Sequence, residues 1–497
     1  MDDQKLNLRV NYFSIIALSF IFIGVLFVSI KGINNPNFFY QLSFNWIEGV
    51  SLLIFIFTII SGLKSFNWFV VFLVFNLIAL PASVDNFFPS VLISAQTDSK
   101  LVYFPILTHI DIYILIGLFR YWNKQYLREI RFSRLGAIVF YLFACLLIVS
   151  MSANILRNSS LTDVGLIASH SYHLRYFLLL GLLCKNTPIL KYRNELFYGI
   201  LVSIAFLIFE STVTSFYFNR SRLVSGTLGN NVFAALLAAT AIYLMYLIRI
   251  KAISRKHLIL VIIMAVAMFF AKTRSAIFLF SGFLLIEIVM YTINMFRQNN
   301  MRKSIYLFVL FLLVLGATIF SFSQTERLSV DNFKIEKIDL TKTELKDIVV
   351  FEENDFNASL SMRLGHFQTS LNMIRDHPIF GIGPGRWNKY KTQYGSRNTQ
   401  TMDSHNDFLA LASQYGLLTG TFFCMILYIA PFLLRRLNRQ ESFQTKDPLN
   451  YLCIISFIMM LAGISNAVLF KHQIFAFLAL ILMTYTFRTK EENPIQK

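Results

Sequence analysis

The chain has 497 residues, 56% of them hydrophobic and only 14% charged, with a formal net charge of +18. A soluble domain carries about a quarter of its residues as Asp, Glu, Lys and Arg, so this balance excludes an ordinary globular protein. The positive charge does not argue for a nucleic-acid partner, because most Lys and Arg residues lie in short stretches between apolar runs, where they set membrane orientation.

Apolar runs near the length a helix needs to cross a bilayer, about 20 residues, recur along almost the whole chain. Fourteen spans are predicted, at 12–30, 47–63, 67–83, 102–120, 135–153, 173–184, 195–217, 230–248, 257–272, 275–296, 304–322, 417–434, 448–468 and 472–487. The sixth is short and contains Arg175, so twelve or thirteen spans fit as well. The first run lacks a small-residue cleavage site and reads as a span rather than a cleaved signal. The expected fold is therefore all-α: a polytopic membrane protein with about 12–14 transmembrane helices. It divides into a bundle over 1–322, a polar, partly helical segment over 323–416, and further spans with a tail over 417–497. Cys145, Cys184, Cys424 and Cys453 all fall inside apolar runs and read as small buried apolar residues.

Orientation follows from the basic residues. With the N-terminus in the cytoplasm, the cytoplasmic loops carry clusters such as Arg120, Lys124, Arg128, Arg131 and Arg134, or Arg249, Lys251, Arg255 and Lys256. The opposite short loops carry one or two basic residues each, as the positive-inside rule requires. Both termini are then cytoplasmic and the segment after residue 322 lies outside, in the periplasm of a two-membrane bacterium. Within it, Gln324 to Asn357 is polar and reads as a loop. Ser359 to Arg375 has a helical apolar stripe through Leu360, Leu364, Phe367, Leu371 and Ile374. "DHPIFGIGPGRW" (Asp376 to Trp387) ends that helix, since a proline and three glycines follow His377. Ser404 then fits the N-cap of a short helix, with Asp407 three residues on in a capping-box arrangement.

Three polar features reach the outer face on this topology: "RSRLVSGTLGNNVFAAL" (Arg220 to Leu236), "AKTRSA" (Ala271 to Ala276) and "SHND" (Ser404 to Asp407). Arg274 is flanked by apolar runs on both sides, a costly place for a guanidinium unless it reaches a polar cavity or the interface. Two readings stand: snorkelling or pairing with Glu210 or Glu287, and a clamp on phosphate oxygens, which the guanidinium fork suits. Arg222 has the same two readings. His405, placed in the first turn of the short helix, would feel the positive end of the helix dipole, which favours a neutral ring able to accept a proton. A surface histidine beside a cap is the plainer alternative. His366 and His377 read as structural, and no Cys, His and Asp spacing argues for a metal.

"RLGHFQTSLNMIRDHPIFGIGPGRW" followed by "SHNDFLALASQYGLLTG" resembles the O-antigen ligase and polymerase superfamily, which shares an arginine-led helix, a "DHPxFGxGPG"-like turn and an "HN" pair. "RLVSGTLGNNVFA" and "TRSA" resemble two further elements of that family, with asparagine replacing its usual proline and Ser275 its usual glycine. The resemblance implies a GT-C-like glycosyltransferase of the bacterial inner membrane that needs neither metal nor cofactor. Its donor would be a glycan on undecaprenyl diphosphate, and its acceptor a hydroxyl of lipid A–core, of another glycan or of a protein. His405 then maps onto the base of an inverting transfer, and Arg222 and Arg274 onto the diphosphate contacts. Arg220, Asn230, Asn231, Ser404, Asn406, Gly383 and Gly385 fall in the same elements as supporting residues. O-antigen ligation is the reading taken forward. Polysaccharide polymerisation and protein O-glycosylation share its chemistry. A polysaccharide or lipid transporter is the rival of another class, and the gathering of polar features on one face opposes it.

Overall fold

The computed structural model describes residues 43–80, 90–94, 101–105, 108–157, 167, 170–217, 223, 225, 228–297, 309, 316, 355–395, 404–438, 447–464 and 466–489. The spans expected at 12–30 and 304–322, and nearly all of the polar stretch from 324 to 357, fall outside them.

The described chain is overwhelmingly helical. In order it forms α1 (Ser43–Lys64), α2 (Phe66–Ile78), a hairpin of β1 (Ser90–Ser94) and β2 (Leu101–Pro105), α3 (His109–Tyr121), α4 (Lys124–Glu129), β3 (Ile130–Phe132), α5 (Arg134–Arg157), α6 (Tyr172–Asn186) and α7 (Arg193–Tyr217). It continues with α8 (Asn230–Arg249), α9 (Leu258–Ala271), α10 (Arg274–Arg297), α11 (Asp355–Asp376), α12 (Trp387–Tyr390), α13 (Asp407–Tyr415), α14 (Leu417–Tyr428), α15 (Ala430–Asn438), α16 (Cys453–Gly463), α17 (His472–Thr486) and β4 (Phe487–Thr489). β4 pairs antiparallel with β3, with Arg131 opposite Arg488.

Among the described residues, three helices are long and apolar enough to cross a membrane: Arg134–Arg157, Arg193–Val213 and Asn231–Arg249. A fourth candidate is α14 with α15, bent by 52°. Pro431 explains the bend, because it has no N–H to donate and its ring crowds the carbonyl four residues back. Five shorter apolar helices accompany them. Their outward surfaces are apolar as well: α9 exposes Ile259, Ile262, Val266 and Phe270. Such a surface is stable only against lipid, and the protein is an all-α polytopic membrane protein.

The span expected at 102–120 starts later than the hydropathy suggested. Pro105 disfavours helix at Phe104, and Thr108 opens α3 through a capping box with Asp111. Asp111 also answers the problem of Arg175 in the short sixth span, since the guanidinium donates to its carboxylate at 2.9 Å. Three of the cysteines are buried as expected, but Cys145 lies on the outward face of α5.

α17 is the axis of the bundle. It packs against α2, α5, α6, α14, α15 and α16 and is buried from Gln473 through Met483. A second group forms around α8, which packs against α9, α10 and α16. Two contacts fix which ends of these helices coincide. Arg249, the last residue of α8, donates to Glu287 of α10 at 2.6 Å and 2.8 Å. Tyr243, late in α8, donates to Pro448 O just before α16 at 2.9 Å. The starts of α8 and α10 therefore lie at the same end of the bundle as the close of α16.

Candidate active site

That shared end carries the polar features singled out in the sequence. α10 begins at Arg274, two residues after Lys272, whose left-handed φ of 50° turns the chain out of α9. Glu287, one of the two acids considered as an arginine partner, lies thirteen residues along α10, about 20 Å at the helical rise, and is held by Arg249. Arg220 and Arg222 fall outside the described residues, so the structure does not place them. Asn230 opens α8, and Asn231 beside it is exposed.

The SHND stretch closes over the same end. Its cap differs from the expectation: the N-cap of α13 is Asn406, whose Oδ1 accepts from Leu409 N at 2.9 Å. Ser404 is buried, and its hydroxyl donates to Asn406 O at 3.0 Å. Asp407, which would have closed the capping box, is instead the first helical residue. Its buried carboxylate accepts from Tyr428 Oη at 2.6 Å and from Leu469 N at 2.9 Å. Those tertiary partners decide the register, because a box on Ser404 would turn the carboxylate away from both. Asn406 Nδ2 donates to Ile464 O at 2.7 Å, tying the stretch to the close of α16. Leu469 O in turn accepts from His173 Nε2 at 3.3 Å, while His173 Nδ1 accepts from Tyr415 Oη at 2.7 Å. Nε2 therefore carries a proton, since a carbonyl can only accept.

His405 thus precedes the N-cap and stands outside the first turn of α13, two residues before the helix begins. Its φ is +53°, one of three positive values at non-glycine residues among the described residues. A side chain in the left-handed region costs on the order of 1 to 2 kcal/mol, and the anchors on either side hold it there. The half-exposed ring is placed by a turn, not by a helix dipole.

The glycine-rich turn forms the other half of the site. Ile382 N and Gly383 N donate to Ser413 O and Gln414 O at 2.9 Å and 3.0 Å, and Leu417 N donates to Pro378 O at 2.7 Å. The turn and the end of α13 are laced so closely that a Cβ on Gly416 would strike the Ile379 carbonyl. Gly385 N donates to Gln414 Oε1 at 2.6 Å. α5 braces both strands of this buckle: Asn154 Nδ2 donates to Phe380 O at 2.7 Å, and Ser150 Oγ to Tyr415 O at 3.0 Å. At the outer edge, His377 Nδ1 accepts from Arg157 at 2.8 Å and Nε2 meets Tyr394 Oη at 2.9 Å. Burial and then the Arg157 charge hold the His377 pKa below its usual range.

α11 packs against α13. Leu364 and Leu371 are 40% and 49% exposed, whereas His366, Thr369, Ser370 and Met373 are buried. His366, read from the sequence as structural, therefore faces the site. Its ring lies 5.9 Å from that of His405, at 71° between planes, and 5.5 Å from Trp387. Trp387 is fixed by its indole N–H to Ser370 Oγ at 2.9 Å. Burial, then the charges of His405 and Lys391, push the His366 pKa down to about 4. Burial lowers Lys391 as well. The signal for this face was present in the 366, 369, 370, 373 spacing, but polar residues do not announce a buried stripe.

The fold and this buckle define a polytopic membrane protein with a histidine-bearing polar site at one end of its bundle. Residues 259–424 match the family model of the O-antigen ligase, and over that segment the chain is similar to the O-antigen ligase superfamily. The match runs from α9 into α14, so it holds Arg274, His366, the glycine turn and His405, and it begins after the Arg222 element. It supports an O-antigen ligase or polymerase type of function, glycosyltransferase-like in chemistry. No curated protein matches the chain.

Proposed function

We propose that the protein transfers a glycan from undecaprenyl diphosphate to a hydroxyl acceptor at the periplasmic face of the inner membrane, with lipid A–core as the acceptor. The observation that carries this reading is the placement of His405. It is a half-exposed imidazole on a strained backbone, inside the matched segment, at the bundle end where Arg274 begins its helix. His405 takes the proton of the acceptor hydroxyl, and the hydroxyl oxygen bonds to the anomeric carbon. The bond from that carbon to the diphosphate breaks, and the leaving group departs with the electron pair. Attack opposite the leaving group inverts the anomeric centre. Arg222 and Arg274 bind the diphosphate, where fixed cations act strongly on developing charge in a water-poor site. The segment 323–416 shapes the acceptor side, and both termini are cytoplasmic.

A gene deletion complemented with wild type or His405→Ala tests this, with lipopolysaccharide ladders and periplasmic glycoproteins read together. Loss of the ladder from lipid A–core, with polymer retained on the carrier, is the expected result, and His405→Ala should not restore it. A general base contributes about 10²- to 10⁴-fold. Collapse to single repeat units would assign a polymerase, loss of glycoprotein signal alone a protein glycosyltransferase, and full rescue by His405→Ala would remove the base. A transporter would leave the glycan chemically unchanged.

A further inference from the structure

A catalytic imidazole is seldom left to orient itself; in nucleophile–base systems a third group holds the base in place and stabilises it once protonated. The carboxylate of Asp407, the nearest acid in sequence, accepts from Tyr428 and Leu469. The ring that faces His405 belongs to His366.

We propose that His366 is the positioning partner of His405, presenting a ring nitrogen that fixes the plane of the base and stabilises the imidazolium formed when the acceptor proton arrives. This rests on His405 being the base. His366 is rigid where a positioning group needs to be. It is 1% exposed, it projects from the buried face of a 22-residue helix, and its ring meets Trp387 at 68° between planes. The pair lies at a centroid distance and angle typical of edge-to-face rings. Three charged groups stand near it among the described residues. Lys391 approaches from the turn after α12, Asp407 stands at the start of α13 with its carboxylate engaged elsewhere, and Arg363 lies one turn back on α11. With its pKa near 4, His366 stays neutral wherever the enzyme works, so it keeps a nitrogen lone pair to offer. Two like-charged imidazoliums side by side would oppose each other. A permanently neutral neighbour removes that conflict.

The test uses the full-length protein in detergent, with carrier-linked glycan and acceptor extracted from the deletion strain, and reads release of undecaprenyl diphosphate. His366→Phe keeps the ring packed on Trp387 and removes both nitrogens. It should lower kcat by about 10- to 100-fold with donor KM retained, and move the acid limb of kcat/KM to lower pH by about half a unit or more. His366→Gln returns an amide acceptor and should recover part of the rate, and it also serves if the phenylalanine variant does not fold. A His366→Phe protein with wild-type kcat and acid limb overturns the proposal. So does a rate loss that follows a lowered unfolding midpoint while the acid limb stays put, since that marks packing alone. His405→Ala run in parallel separates the two claims: activity in that variant ends the base assignment itself, whereas an inactive His405→Ala beside a wild-type-like His366→Phe removes only the partner.

Discussion

Removing Asp407 should loosen the structure that holds the base without touching the base. Its carboxylate is fully buried and accepts two hydrogen bonds, from Tyr428 Oη at 2.6 Å and Leu469 N at 2.9 Å. A hydrogen bond to a charged group contributes about 1.5 to 3 kcal/mol. Asp407→Ala loses both and leaves two donors facing apolar surroundings, while it also relieves the cost of burying a charge. The expected net loss is about 3 kcal/mol. Tyr428→Phe removes one donor and should cost about 2 kcal/mol. The two losses describe one contact, so the double variant should be hardly worse than Asp407→Ala alone, a coupling of about 2 kcal/mol. Asp407→Asn keeps one acceptor for Leu469 N, and Tyr428 can turn its hydroxyl to accept, so it should be the mildest of the set. Reversible unfolding in mixed micelles, with denaturing detergent as the variable, measures all four proteins. Additivity of the single losses to within about 0.5 kcal/mol would refute the reasoning, because it would mean that the carboxylate and the phenol do not depend on each other.

Gly416→Ala should destabilise by about 2 kcal/mol or more, since φ is +90° and the added carbon strikes the Ile379 carbonyl. Gly229→Ala, with φ +74° and open space around it, should cost only about 1 kcal/mol by the same unfolding assay. Arg274→Lys keeps the charge and loses the fork, so turnover should fall by at least about tenfold, equivalent to about 1.4 kcal/mol; full activity in the release assay would speak against bidentate binding. Stability should also depend on pH through His366. Its folded pKa near 4 lies below the unfolded value of about 6.5, so the unfolded chain binds the extra proton first and stability declines as pH falls from about 6.5 toward 4. The unfolding midpoint of His366→Gln should be flatter across that window than that of wild type.

Most helices were legible because a bilayer-length apolar run leaves few alternatives. α5, α7, α8, α9 and α10 each lie within a few residues of the hydropathy boundaries. What failed was the reading of the cap. The stripe on α11 carried no statement of its face, and Leu364 and Leu371 point outward. Beside a membrane, an apolar stripe names two opposite faces without saying which one is inside. Ser404 and Asn406 are both good N-caps, and only the partners of Asp407, 21 and 62 residues away, choose between them. His405 was visible as a residue, but its left-handed backbone depends on those same distant anchors. That the His366 ring faces His405 was not legible for a related reason: a lone histidine on a helix carries no mark of the ring it will face.

The brace from α5 to the glycine turn joins residues 226 positions apart. At ribosomal speeds of about 5 to 20 residues per second, Asn154 is made roughly 10 to 45 seconds before Phe380 exists to accept from it. Within its own helix the same amide donates to Ser150 O. The buckle around His405 is therefore among the last parts of the molecule to assemble, and a chain that stalls before residue 380 carries a polar side chain that later segments are needed to satisfy.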